Sequence, residues 1–318
     1  MLSFSTDDLP PEDRFDHWCD VRGKALFGVT IELAAEKRRD FHGQFSAVPI
    51  GGAVFAEMKA SSYRVSRTRA DISRLSSDSI SISHQVRGAG WMDLGNENVH
   101  FLADGALAVS HSDHELAATP LRSDGFHFRT LKIPSTLFPA IADVARRVTP
   151  EPFAASNRVT PLISGTFEHL TANAASLSAP EPLLRDIVQL VLLARGLVTA
   201  GTAESRAALR SGHLCAARKL MADNLHRSEL TPERVAHAFG ISVRHLHVLF
   251  EPTGTSFART LTGMRLEQAR RLLVALPKAP VEQIASNCGF DSLATFYRVF
   301  RRTFSRTPRD LRASDRDN

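Results

Sequence analysis

The sequence predicts an α+β chain: an N-terminal β-barrel with flanking helices, then an all-α region in which two helix-turn-helix units are joined by a long helix. Three observations predict it. Between Val29 and Ile133 the chain breaks into short alternating runs, VTIEL, FSAV, AVFAEM, SISISHQV, GWMDL, ALAVSH and HFRTLKI, with Gly, Asp, Asn and Ser between them, which is the texture of antiparallel strands. Beyond residue 205 one helical pattern occurs twice, at 231 to 250 and at 280 to 308. Charge divides along the same line: Ser205 to the end holds 19 Lys+Arg against 10 Asp+Glu, net +9, while residues 1 to 204 hold 20 against 24, net −4.

At the N-terminus, FSTDDLPPEDRFDHWCDVRGKALFG predicts a Pro-initiated helix from about Pro11 to Phe27, with Phe15, Trp18, Val21, Ala25 and Leu26 on one side. In the β region the clearest turns are Gly51-Gly52, Gly88-Ala89-Gly90 and Asp104-Gly105. His84, His100, His111, His114 and His127 fall there and raise the question of a metal. Ligand sets in such barrels come as a tight H-x-H with an acid a few residues on. The nearest approach is His111 and His114 followed by Glu115, a spacing better suited to an edge strand or loop, so no metal ligand is assigned. No G-x-S-x-G, H-E-x-x-H or Walker motif occurs, no catalytic residue is assigned, and the chain is not expected to be an enzyme or to need a cofactor. Cys19, Cys215 and Cys288 are odd in number, scattered and without a CxxC, which argues against a disulfide framework and a zinc site.

Residues 134 to 200 turn helical at Ser135 to Val148, Pro161 to Ser176 and Pro182 to Val198. The last of these, PLLRDIVQLVLLARGLV, is apolar around most of its circumference and must be covered on nearly all sides, either inside the domain or in a dimer seam. TAGTAES, residues 199 to 205, reads as a linker, giving domains at 1–200 and 205–318. No run approaches 18 apolar residues and no basic-then-apolar signal opens the chain, so a soluble, cytoplasmic protein without a membrane partner is expected.

Arg206 to Asn224 reads as a supporting helix. In the second repeat Val281, Ile284, Ala285 and Cys288 form the stripe of a short helix, and Gly289 stands where a left-handed C-terminal residue belongs. Asp291 or Ser292 can cap the next helix. Its Phe296, Val299 and Phe300 point inward, and Leu293, Ala294, Tyr297, Arg298 and Arg301 point elsewhere. The first repeat aligns with it at an offset of 49 through Val235, Ala236, Phe239, Gly240, Ile241 and Ser242, the last opposite Asp291, and at 50 through Leu246, Leu249 and Phe250. Between them Ser256 to Leu276 predicts a helix roughly 30 Å long, close to the ~34 Å of one DNA turn. A cationic region of this build is what nucleic-acid binding requires.

Residues 205 to 312 resemble the DNA-binding domain of the AraC/XylS family of bacterial transcription regulators, through the tandem helix-turn-helix, the linker helix RLEQARRLL and the closing IASNCGFDSLATFYRVFRRTFSRTPRDLR. The opening FSTDDLPPEDRFDHW and the β region are similar, less specifically, to the AraC-type ligand-binding domain of regulators of aromatic and amine catabolism, a cupin-like jelly-roll barrel. The resemblance implies a sequence-specific regulator, an activator that answers to a small organic effector, dimerises, binds double-stranded promoter or operator DNA and contacts RNA polymerase. Carried onto this chain, it puts base reading on Arg244 and His247 in the first unit and on Leu293, Ala294 and Arg298 in the second. Val248 stands where the family often has Arg, and it offers a base only apolar contact. Arg265, Arg270, Arg301, Arg306 and Arg309 are assigned to phosphates, where a point charge suffices. The runner-up is a cupin-like metalloenzyme or repair protein fused to such a domain, and three scattered cysteines cannot build the Cys-rich segment of the latter. A purely architectural DNA-binding protein would have no use for the first 200 residues.

Overall fold

The structure, a computed structural model, describes residues 2–75 and 77–314. The side chains of Ala25 and Leu26, which the sequence places on the apolar side of the first helix, and residues 315–318 of the expected second domain lie outside the described residues. The chain divides into two compact units, Met1–Gly212 and His213–Asn318.

In the first unit the described strands are β1 (Leu2–Ser5), β2 (Thr30–Glu32), β3 (Gly43–Ile50), β4 (Ala53–Ala60), β5 (Arg64–Arg67), β6 (Ser79–Arg87), β7 (Gly90–Asp93), β8 (Val99–Leu102), β9 (Ala106–His111), β10 (Leu116–Pro120), β11 (Phe126–Pro134) and β12 (Glu151–Pro152). They form two sheets, ordered β1-β3-β4-β11-β6-β9-β12 and β2-β5-β10-β7-β8. Every pairing is antiparallel; β3 and β4, for instance, run from Gly43↔Ala60 to Ile50↔Ala53 around the Gly51-Gly52 turn. The α+β class therefore stands, but the barrel does not close. Strands β1 and β12 edge one sheet and β2 and β8 the other, so no continuous ladder joins them. Alternating residues face inward in a sandwich and in a barrel alike, which is why the strand pattern does not separate the two.

The helices are α1 (Arg14–Trp18), α2 (Arg69–Arg74), α3 (Ala142–Ala145), α4 (Thr160–Ala172), α5 (Glu181–Ala194), α6 (Ala203–Asp223), α7 (Pro232–Ala238), α8 (Val243–Phe250), α9 (Phe257–Ala275), α10 (Val281–Asn287), α11 (Leu293–Phe304) and α12 (Pro308–Ser314). α1 continues as a π-helical stretch, Cys19–Phe27, and buries Phe15 and Trp18 with Phe41, Phe45, Met58 and Tyr63. The helix expected from Ser135 to Val148 is split into two 3₁₀ turns and the short α3, because Pro139 supplies no N–H to a continuing ladder.

Helix α5 resolves the choice left open for its apolar circumference. Leu184, Ile187, Val188, Leu190, Val191 and Leu192 are fully buried in the single chain, so this surface is interior to the first unit. The stretch marked as a linker supplies the start of α6: Ser205 is buried and its hydroxyl accepts a hydrogen bond from Gln189 Nε2 at 2.9 Å. No helix of the described residues is long and apolar enough to cross a membrane.

The second unit has two cores. Met221, Val235, Leu246, Phe250, Phe257 and Leu261 belong to one; Leu266, Leu273, Ile284, Cys288, Phe296 and Phe300 belong to the other. Helix α9 contributes its first turns to the former and its last turns to the latter. Burial pushes the Cys288 thiol up to about 11, consistent with a packing role.

Candidate nucleic-acid interface and ligand cavity

The two helix-turn-helix units repeat at the level of single hydrogen bonds. Ile241 N donates to Ala236 O at 3.0 Å, and Phe290 N donates to Ala285 O at 3.1 Å. Gly240 and Gly289 make each turn with φ of +62° and +77°. Ser242 and then Ser292, rather than Asp291, cap the following helices: each hydroxyl accepts from the backbone N–H three residues on, His245 at 3.1 Å and Thr295 at 3.3 Å.

Burial of Leu246, Leu249 and Phe250 on α8 leaves Arg244, His247 and Val248 exposed. Burial of Phe296, Val299 and Phe300 on α11 does the same for Leu293, Ala294, Tyr297, Arg298 and Arg301. Their spacing, one, four, five and eight positions after Leu293, gathers them into one outward stripe. The base-reading candidates of each unit are thus brought to a common face of their helix. A face with two guanidiniums, an aromatic ring and two apolar side chains can offer hydrogen bonds to guanine and apolar contact to a thymine methyl in a major groove.

The phosphate candidates divide. Arg301, Arg306 and Arg309 are exposed around the α11–α12 corner. There the Asp310 carboxyl is held below its usual range, first by the Thr307 N–H, then by the Thr307 hydroxyl and the nearby Arg301 and Arg306. Arg265 is placed differently from the expectation. Its Nε donates to Leu225 O at 3.1 Å and its Nη2 to Arg227 O at 2.6 Å, and partial burial lowers its pKa. Arg270 is paired with Glu267 at 2.8 and 2.9 Å. Both guanidiniums are engaged within the chain, by groups their own sequence neighbourhood announces only for Arg270.

In the first unit a cavity of about 220 Å³ is lined by both sheets and by the π-helical stretch. Strand β11 turns Phe126, Phe128, Thr130 and Lys132 toward it, while the alternate residues Leu131 and Ile133 are buried on the other side. Arg22, Arg67 and Lys132 line it; sequence reasoning assigned none of them. The available signal was Lys132 itself, a lysine in phase with Phe126 and Phe128 and flanked by the apolar Leu131 and Ile133.

Asp78, His111 and Asp113 bring one ligand atom each within 4.8 Å of one another, and they are the described residues best placed to hold a metal. His111, expected beside His114, is buried, with Nε2 at 3.4 Å from Asp78 Oδ1; His114 instead bonds Arg146 O. Burial lowers the His111 pKa. The Asp78 oxygens already accept from Arg146 Nη2 at 2.7 Å and Ser135 Oγ at 2.6 Å, which holds that carboxyl down at about 2. A divalent cation would have to displace a guanidinium, so the donor set is a poor fit for one.

Residues 235–314 match a family model described as a helix-turn-helix domain. The transcriptional activator NphR of Rhodococcus sp is 33% identical over 116 residues, 36% of this chain and 33% of NphR. The HTH-type transcriptional activator RhaS of Salmonella schwarzengrund is 36% identical over 143 residues, 43% of this chain and 48% of RhaS. The chain spans about a quarter to a half of the length of the curated relatives it matches. Among solved structures the AraC-like transcriptional activator CuxR is similar in fold, with a TM-score of 0.50 at 18% identity over 90% of this chain and 100% of that one.

Proposed function

Taking as premise that the C-terminal region is a helix-turn-helix domain, we propose that the chain is a sequence-specific DNA-binding transcription regulator of the AraC type, an activator that responds to a small organic effector. The observation that carries this reading is the exposed stripe of α8 and α11, presented twice by one repeated fold on the cationic part of the chain. In this reading Arg244 and His247, with Leu293, Ala294 and Arg298, face base edges, and Arg301, Arg306 and Arg309 face phosphates. Arg265 and Arg270 brace the domain. The effector occupies the cavity between the sheets, and the active species is a cytoplasmic dimer that contacts RNA polymerase at the promoter. No enzymatic step belongs to this reading; the metalloenzyme alternative rests on Asp78, His111 and Asp113 alone and is met by metal analysis of the purified chain. The test is binding of the full chain to duplex DNA across a salt series. Affinity should fall steeply, with a log–log slope of about −0.9 per neutralised phosphate. A flat dependence, or no binding at low salt, rejects the proposal.

A further inference from the structure

The cavity between the sheets carries charge of one sign only. Of its three cationic side chains, Arg67 is satisfied: its guanidinium donates to the carbonyl oxygens of Ser112, Phe27, Gly28 and Leu75 at 2.6 to 2.9 Å. Arg22 is not. It is 7% exposed and packs against the rings of Phe27 and Tyr63. Its Nη2 reaches only the thioether of Met58 at 3.4 Å, and Nε and Nη1 have no hydrogen-bond partner among the described residues. Lys132 enters from β11 with no ion pair or hydrogen bond to its ammonium among the described residues, and no Asp or Glu lines the cavity. The rest of the lining is largely aliphatic and aromatic.

A buried cation without a counter-charge is costly, and proteins pair such groups or leave them facing a ligand. We propose that the cavity takes a small organic anion, a carboxylic acid with an apolar body of about one ring, whose carboxylate is received by the Arg22 and Lys132 cations. The volume agrees: a dry apolar cavity of about 150 Å³ admits benzene, and 220 Å³ leaves room for a carboxylate beside a ring. Charge-assisted hydrogen bonds to the unpartnered Arg22 nitrogens supply the orientation. Neutral analogues fill the same space but leave both cations uncompensated, and organic cations add to the repulsion. This deepens the effector reading of the cavity and rests on it.

The experiment uses the full chain with benzoate and phenylacetate, their neutral amides benzamide and phenylacetamide, and benzylamine, read by thermal shift and calorimetric titration. The acids should bind, and the amides should bind roughly tenfold or more weakly. Arg22→Gln and Lys132→Met should each erase that preference. Because Lys132→Met also removes an uncompensated buried charge, it should melt higher than the parent without ligand, so loss of acid binding cannot be put down to misfolding. Amides or benzylamine binding as well as the acids, absence of any acid binding, or an unaltered preference in both variants overturns the inference. The same preparations are assayed on duplex DNA. Salt-dependent DNA binding without acid binding rejects the organic-anion inference alone, and failure to bind DNA rejects the regulator reading.

Discussion

The backbone of Gly289 passes so close to the carbonyl oxygen of Leu225 that a Cβ at position 289 would lie 2.3 Å from it, and 2.9 Å from Arg265 Nε. At Gly240, the equivalent residue of the first unit, the same Cβ would meet nothing within 4 Å. Both residues are left-handed, so alanine at either costs about 1 kcal/mol for the backbone alone. Gly289→Ala adds the clash and should cost about 2–4 kcal/mol, with Gly240→Ala near 1. Denaturant unfolding of the two variants measures the difference, and equal losses would refute the close approach.

Arg265 fastens the loop after α6 to α9 by two donors to backbone carbonyls. Arg265→Ala should lower stability by about 1–3 kcal/mol, nearer the lower figure because the guanidinium is half exposed. Arg265→Lys should restore little, since one ammonium cannot reproduce the planar pair of donors. If the alanine variant instead keeps its stability and reduces the salt slope of DNA binding by about 0.9, the residue is a phosphate contact.

Among the outward residues of α11, Leu293 and Ala294 lack polar atoms, and Arg298 carries the group able to grip O6 and N7 of a guanine. Arg298→Ala should relax preference at one base pair by about 1–3 kcal/mol with the salt slope unchanged. Arg309→Ala should weaken all sequences alike and reduce the slope by about 1. Binding to an operator and its single-base variants at several salt concentrations separates the two behaviours.

Burial brings the Lys132 ammonium down from 10.5 to about 8, with the like charge of Arg67 adding to the effect. Arg22, Tyr63 and His111 are the other titratable groups lining the cavity. Since the folded value is the lower one, the unfolded chain binds more protons between pH 8 and 10.5, and stability gains from this group as pH rises through that window. Lys132→Met should therefore be more stable than the parent by about 2–3 kcal/mol at pH 7, and the advantage should shrink toward pH 10.5. Unfolding curves at pH 7, 9 and 10.5 test it; a variant less stable at pH 7 shows that the ammonium has a partner.

Leu190 is fully buried, and a Cβ on Gly212 would lie 2.9 Å from its Cδ1. Leu190→Ala should cost about 2–5 kcal/mol of stability. Sedimentation of the folded variant should show the parent's association state, because this surface faces the interior; dissociation would return α5 to the role of a seam.

The helix-turn-helix repeat was legible because its determinants are local. Apolar spacing, a left-handed glycine and a serine cap act within four residues of one another. Closure of the β domain was not legible, since Ser81 and Ile82 alternate in a sandwich as they would in a barrel. The intrachain partners of Arg265 were not legible for a related reason: they lie 40 and 38 residues earlier in the chain, and a lone arginine on an amphipathic helix looks the same whether it faces solvent or a carbonyl. The circumference of α5 announced that it must be covered, but what covers it depends on packing that no periodicity encodes.

Because α9 ends in one core and begins in another, the two helix-turn-helix units are joined through a single helix of 19 residues, about 28 Å long. The protein therefore carries a built-in phase. One inserted residue in α9 turns everything beyond it by about 100°, so the exposed stripe of α11 would be re-aimed relative to that of α8. DNA imposes the reciprocal rule: about five extra base pairs between the two contacted segments swing the second to the far side. In the regulator reading proposed above, a new operator could change the letters at either end freely, but not the count of letters between them.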